Sequence, residues 1–238
     1  MTIYDLHRRR DAILSPEFDG RGRGSAAAPP VGVLALQGDF REHRAVLESL
    51  GAPTVEVRRP EQLTGLGGLV IPGGESTTIG KLMRHFELVA PIKARAAAGM
   101  PVLGTCAGLI TLATRIAEGD QPVLGLIDIE ARRNAFGRQV HSFEADVDMP
   151  VVGPPPVRAV FIRAPWIERA GSGVEILASY QGHAVAAREG RVLVTAFHPE
   201  LTGDTRVHDA FLAMVRAASS ETGAAGASAG TPAEEVVS

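Results

Sequence analysis

The chain has a single cysteine, Cys106, and that scarcity excludes two common designs. No intramolecular disulfide can form, and a thiolate-rich zinc centre has no ligands. The seven histidines form no cluster with metal-ligand spacing, so no metal is expected. No apolar run approaches the roughly 20 residues that a membrane-spanning helix needs. Charge of one sign is also scarce. A net charge of −3 over 238 residues gives no electrostatic hold on nucleic acid or on an anionic membrane surface. Internal repeats are lacking, as is the long apolar core of a secretory signal. A lone thiol without such a signal suits a reducing compartment, and a cytoplasmic protein is expected.

What is there falls into three parts. Residues 1–30 include RRRD, DGRGRG and SAAAPP, which carry few apolar side chains and read as a disordered N-terminal extension. Residues 217–238, AASSETGAAGASAGTPAEEVVS, are small and acidic and read as a disordered C-terminal tail. Residues 31–216 carry the fold. Val31–Leu36 is a continuous apolar run, as a strand buried on both faces requires. Asp39 precedes a helical pattern of Val46, Leu47 and Leu50 that stops at Gly51. Strands are expected at Thr54–Arg58, Leu69–Ile71 and Pro101–Gly104, with helices capped by Ser76 and running over Pro91–Ala98 and Leu109–Ala117. Strand-like segments then follow closely at Leu124–Glu130, Ser142–Val147, Ala159–Arg163, Glu175–Ser179, Ala184–Ala187 and Val192–Phe197. Asp204 caps a last helix. The expected fold is α/β, a single three-layer domain with a mixed, mostly parallel sheet.

Cys106 stands in Gly104-Thr105-Cys106-Ala107-Gly108, between an apolar strand and a helix. Strand, G-x-C-x-G, helix is the layout of a nucleophile elbow, with cysteine where α/β-hydrolases carry serine. Such a turn lifts the sulfur over the C-terminal edge of the sheet and aims helix N–H groups at it. A lone cysteine without this setting would read as an inert core thiol. A thiol nucleophile needs a base, and the base an orienting group. His198 ends the strand Val192–Phe197, and Glu200 follows two residues on, past Pro199. The competing reading of His-Pro-Glu is an ordinary surface turn. His43, His85 and His208 fall on amphipathic helices and are expected to be solvated; His183 falls in a hairpin turn, His7 in the extension. Pro72-Gly73-Gly74-Glu75-Ser76-Thr77 also leaves a strand and enters a helix. It suits an oxyanion hole, or a plain tight turn; a phosphate-binding loop would need a glycine spacing that is absent.

These motifs carry a resemblance. Gly104–Gly108 with His198-Pro199-Glu200 resembles the class I, triad-type glutamine amidotransferases. Further blocks occur in order: Ala35–Gly38, Pro72–Thr78, Arg133–Gln139, Ser142–Ala145, Phe161–Pro165 and Phe197–Thr202. Together they resemble the glutaminase subunits of pyridoxal 5′-phosphate synthases, over about Val31 to Val215. The first thirty residues lie outside that pattern, and His141 stands where an acidic or polar residue is expected.

The resemblance implies a flavodoxin-like class I amidotransferase fold and a glutamine-hydrolysing enzyme. It implies Cys106, His198 and Glu200 as catalytic residues, and N–H groups near Gly73, Gly74 and Ala107 as the oxyanion hole. Gly74, Glu75, Ser76, Arg133, Ile162 and Arg163 match positions that bind glutamine. It implies no cofactor in this chain, and a partner: a (β/α)₈-barrel synthase subunit that uses the ammonia to make the vitamin B6 cofactor. The rival readings are a glutaminase subunit for another synthase, a catalytically silent module on the same fold, and a thiol protease or redox sensor.

Overall fold

The computed structural model describes residues 29–136 and 142–227. Most of the N-terminal extension, His7, His141 and the end of the C-terminal tail lie outside the described residues, as does part of the Arg133–Gln139 block. In chain order the first elements are β1 (Val31–Leu34), α1 (Phe40–Ser49), β2 (Thr54–Val57), β3 (Gly68–Ile71), α2 (Ser76–His85) and α3 (Val89–Ala97). Next come β4 (Val102–Thr105), α4 (Ala107–Leu112), β5 (Ala113–Ile116), β6 (Ile127–Arg132), β7 (Ser142–Val147) and β8 (Val157–Ile162). The last are β9 (Trp166–Ala170), β10 (Glu175–Tyr180), β11 (His183–Glu189), β12 (Val192–Thr195) and α5 (Arg206–Ala227).

The main sheet has ten strands in the order β2-β1-β3-β4-β12-β11-β9-β6-β5, with β10 paired to β11. From β2 to β12 every pairing is parallel. Beyond β12, strands β11, β9 and β6 pair antiparallel, and β5 joins β6 in parallel. Strands β7 and β8 form a separate two-stranded ribbon. The sequence explains this division. In β1, β3, β4 and β12 every residue is buried, as expected where helices cover both faces. In β6 burial alternates residue by residue, the mark of a sheet with one covered face.

Strand β4 shows how the layers are arranged. Neighbouring residues of a strand point to opposite faces. A side chain on Gly104 would run into Leu112 of α4, whereas the hydroxyl of Thr105 meets His43 of α1. Helices α4 and α1 therefore lie on opposite sides of the sheet. Helix α5 joins α1 through His208 and crosses β3 at Gly68, where Phe211 and Val215 fill the space a side chain would take.

Four local expectations need correction. The helix expected over Leu109–Ala117 ends at Leu112, and Ala113–Ile116 becomes β5. Thr114 and Ile116 are β-branched, and the open edge of β6 offers them a ladder. Strand β9 was not expected; Pro165 ahead of it and the charged Glu168 and Arg169 within it hide the pattern. The strand expected at Leu124–Glu130 is shifted to Ile127–Arg132. Helix α5 runs on to Ala227, past the boundary placed at 216, and Ala218 is buried. Alanine has the highest helix propensity, so an alanine-rich segment with only a small buried side chain can still extend a helix.

Candidate active site

Five segments converge at the C-terminal edge of the parallel strands. They follow β1 (Gln37–Asp39), β3 (Gly73–Ser76), β4 (Cys106) and β12 (His198–Glu200), or close β8 (Ile162–Arg163). Cys106 links β4 to α4 with φ 48° and ψ −102°, a left-handed conformation that a non-glycine residue rarely adopts. Strain of this kind costs about 1–3 kcal/mol and persists where the surroundings enforce it. They do so here. The Cys106 N–H donates to the Thr195 carbonyl of β12 at 2.8 Å. A Cβ on Gly108 would sit 2.1 Å from the Ile71 carbonyl oxygen, so α4 can approach β3 this closely only with glycine there. The thiol is free, 6% exposed, and its Sγ lies 3.8 Å from the Ile162 carbonyl oxygen.

Strands β4 and β12 are in register at Thr105 and Thr195, so the residues that follow them emerge side by side. That brings His198 to Cys106. The His198 backbone N–H donates to Val160, and the ring Nδ1 lies 2.7 Å from Glu200 Oε1. A second carboxylate oxygen, Asp39 Oδ2, lies 3.4 Å from the same nitrogen. The ligand-type atoms of Asp39, His198 and Glu200 lie within 4.8 Å of one another, a grouping that sequence spacing does not display. Both carboxylates face the proton on Nδ1, which leaves Nε2 for the sulfur.

Electrostatics follow from this packing. Burial disfavours an imidazolium at His198. The negative charges of Cys106 and Glu200, with hydrogen bonds to Asp39 and Cys106, outweigh it and raise the pKa well above the usual 6.5. Burial likewise opposes ionisation of Glu200, but His43 and His198 hold its carboxylate well below the usual range. The arrangement is a buried array of cysteine, imidazolium and carboxylate.

Two of the histidines expected on solvated faces are buried behind it. His43 and His208 are both 0% exposed. His43 Nε2 lies 3.0 Å from Thr105 Oγ1 and 3.3 Å from Glu200 Oε2; His43 Nδ1 lies 2.9 Å from His208 Nε2. Helical spacing would have revealed them. His43 shares a face with Leu47, four residues on, and His208 precedes Phe211 and Leu212 by three and four. His85 is exposed, as expected. His183 opens β11, next to the hairpin turn, and stacks on Trp166 with ring centroids 3.5 Å apart.

The loop after β3 closes over the triad. A Cβ on Gly73 would lie 2.3 Å from His198 Cε1, so only glycine allows this backbone to rest on the imidazole. Gln37 Oε1 accepts the Glu75 N–H at 2.7 Å, and the Gly73 carbonyl accepts the Asp39 N–H at 3.2 Å. Asp39 occupies the N-cap of α1 but makes no side-chain cap there; its carboxylate faces His198 instead. Glu75, not Ser76, caps α2. Its carboxylate accepts from Thr77 N at 3.0 Å and Thr78 N at 2.7 Å. Partial burial opposes its ionisation, but these bonds and the Thr78 hydroxyl bring its pKa down to about 2. Ser76 is buried, and its hydroxyl and that of Thr77 meet Gln121 Oε1 at 3.2 and 3.0 Å. Asp39 and Gln121 carry no motif that marks them in the sequence, and Gln37, though inside the Ala35–Gly38 block, has no role there that the sequence states.

Arg133, in the turn after β6, reaches Glu75 at 3.6 Å. Arg163 is exposed with φ 43°, directly after the Ile162 carbonyl that faces the thiol. The structure thus places a half-exposed carboxylate, Glu75, and one guanidinium-bearing residue, Arg163, on segments that border the thiol, with the Arg133 guanidinium reaching Glu75. Such groups suit a small zwitterion. Ala107 is the first residue of α4, and its N–H has no acceptor within the helix.

Known proteins fit this picture. A curated relative from Pelotomaculum thermopropionicum, named pyridoxal 5′-phosphate synthase subunit PdxT, is 62% identical over 182 residues, 76% of this chain and 93% of its own length. A relative of the same name from Mycobacteroides abscessus is 59% identical over 192 residues, 80% of this chain and 99% of its own. A solved structure titled as a glutamine amidotransferase superposes with a TM-score of 0.75 at 49% identity, covering 78% of this chain and 98% of that one. The structure of PurLQS from Thermotoga maritima shares the fold at a TM-score of 0.58 and 16% identity, covering 77% of this chain and 98% of that one. The model of the SNO glutamine amidotransferase family matches residues 33–217, from β1 into α5 and so across every segment that borders Cys106, and the chain belongs to that family.

Proposed function

We infer that this chain hydrolyses L-glutamine to glutamate and ammonia and delivers the ammonia to the synthase subunit of a pyridoxal 5′-phosphate synthase. The observation that carries the reading is the array of Cys106, His198 and Glu200 across the adjoining ends of β4 and β12. Family membership narrows its substrate to the glutamine amide. A silent module would have no use for a strained cysteine beside a charged imidazole.

The chemistry follows from the geometry. Cys106 attacks the side-chain amide carbon. Charge builds on the amide oxygen, where N–H groups of Gly73, Gly74 and Ala107 receive it. His198 gives its proton to the nitrogen, ammonia leaves, and a glutamyl thioester remains. Water attacks the thioester with His198 now acting as base, and glutamate departs. Glu200 keeps the imidazole oriented throughout. Arg133 and Arg163 hold the substrate carboxylate, while Gly74, Glu75, Ser76 and Ile162 line the rest of its site. Glu75 stays ionised at neutral pH and so can face the substrate ammonium.

The partner is a (β/α)₈ barrel that condenses the ammonia with a pentose phosphate and a triose phosphate. Among the described residues no helix is long and apolar enough to cross a membrane. We place the protein in the cytoplasm, where its single thiol stays reduced. Ammonia released to solvent is wasted, so hydrolysis is coupled to docking, with the loop at Gly73–Gly74 as the element that responds. Glutamine turnover measured with and without the synthase subunit tests this. The reading expects weak activity alone and a large rise on docking; full turnover by the isolated chain, unchanged by the synthase, contradicts the coupling.

A further inference from the structure

We propose that His43 and His208 are positioning residues for the triad, a two-imidazole relay that holds Glu200 Oε2 so that Oε1 points at His198. The relay rests on the glutaminase reading only for its effect on turnover; its geometry stands without it.

Glu200 divides its two oxygens. Oε1 meets His198 Nδ1 at 2.7 Å, and Oε2 faces His43 Nε2 at 3.3 Å. Oε2 is buried and makes no hydrogen bond among the described residues, so the His43 imidazole is the polar ring that faces it. A bare ring nitrogen facing that unpartnered carboxylate oxygen would be repelled by it, so Nε2 of His43 carries the proton. The hydrogen bond of this N–H goes to the Thr105 hydroxyl at 3.0 Å, one residue before the nucleophile, and its positive edge faces Oε2. His43 therefore ties the orienting carboxylate to the strand that carries Cys106.

His208 sets the proton on His43. With Nε2 protonated, His43 Nδ1 is an acceptor and needs a donor. His208 Nε2 lies 2.9 Å away and supplies it. His208 Nδ1 is buried and has no hydrogen-bond partner. This direction of bonding leaves a bare ring nitrogen there; the reverse direction would leave an orphaned buried N–H. Burial, and then the neighbouring His43, hold the His208 pKa down at about 3, against the pull of Glu200. That keeps the end of the relay uncharged. The groups that face it are Glu200, Thr105, His43 and His208, and those that face His198 are Cys106, Glu200 and Asp39.

The test compares the full chain with His43→Leu, His43→Gln, His208→Leu and His208→Gln. Glutamine kcat and KM are measured with the synthase subunit present, and the His198 titration midpoint is read by NMR. Glutamine at position 43 keeps an N–H₂ for Glu200 Oε2, and leucine does not. His43→Leu should lower kcat about tenfold with KM changed less than about twofold, and should lower the His198 midpoint. His43→Gln should recover most of both. His208→Leu should reproduce the effect more weakly, and His208→Gln should relieve it. Folded His43→Leu with wild-type kcat and midpoint overturns the relay, as do leucine and glutamine variants that are equally impaired. If His43→Leu does not fold, the His208 pair decides by the same comparison. A wild-type chain that hydrolyses no glutamine, yet whose His198 midpoint falls in His43→Leu, keeps the relay and rejects the glutamine reading.

Discussion

His198 serves two partners with two nitrogens, and its charge depends on both. Nδ1 is held by Glu200 and approached by Asp39, and the other side of the ring faces Cys106. Its folded pKa is raised above the usual 6.5, despite burial, by the charges of Cys106 and Glu200 and by hydrogen bonds to Asp39 and Cys106. A raised value means that the stabilisation is fully present below 6.5 and is lost as pH rises through the folded pKa. Cys106→Ala removes one of those charges. The His198 midpoint, followed by NMR, should therefore fall in the variant, and alkaline loss of stability should begin at lower pH. Coincident midpoints would show that the sulfur carries no charge that His198 feels. Glu75 is a second case at this scale. Its pKa of about 2 reflects capping bonds that are present above 4.5 and lost as pH falls through 2. Glu75→Ala should cost about 1 kcal/mol in denaturant unfolding at pH 7, with the gap to wild type closing near pH 2. A gap independent of pH would mean that the carboxylate does not cap α2.

At the scale of elements, the site is a set of strand ends brought level by register. Helix α4 can press on β3 because Gly108 has no side chain; a Cβ there would lie 2.1 Å from the Ile71 carbonyl. Gly108→Ala should cost about 2–3 kcal/mol and lower kcat, because the shift moves Cys106 and the Gly73 loop apart together. Melting and glutaminase assays check both, and a variant with unchanged kcat would show that this contact does not set the site. The elbow was legible in the sequence because its glycines, cysteine and strand stand in one short run. The His-Pro-Glu turn was legible as the end of an apolar strand. Its partnership with Cys106 follows from β4 and β12 being parallel neighbours. The roles of Asp39, Gln37 and Gln121 were not legible, although Gln37 stands in the Ala35–Gly38 block, because they depend on loops from different strands meeting. His43 and His208 were misjudged for another reason. Histidine on a helix reads as polar, yet both lie on the apolar stripe, where the two rings share a hydrogen bond. Strand β5 was missed because pairing with β6 overrides a local helical pattern.

For the molecule as a whole, the parallel half of the sheet builds the triad, and β8, from the separate ribbon, brings Ile162 and Arg163 to it. Helix α5 joins the distant parts, covering β3 with Phe211 and Val215 and reaching the triad through His208. It continues past residue 216, where Ala218 is buried and Glu221 pairs with Arg191. Truncation after Arg216 should therefore lower stability by about 1 kcal/mol, whereas truncation after Ala227 should not. Equal melting temperatures would place the end of the folded unit at 216. The two subunits divide the labour: this chain makes ammonia and another subunit uses it. The direct measurement is pyridoxal phosphate formation by the docked complex carrying Cys106→Ala, with glutamine or with ammonium as the nitrogen source. Synthesis from glutamine should be abolished and synthesis from ammonium should continue at the wild-type rate; persistent synthesis from glutamine, or loss of both in a complex that still assembles, would contradict the account.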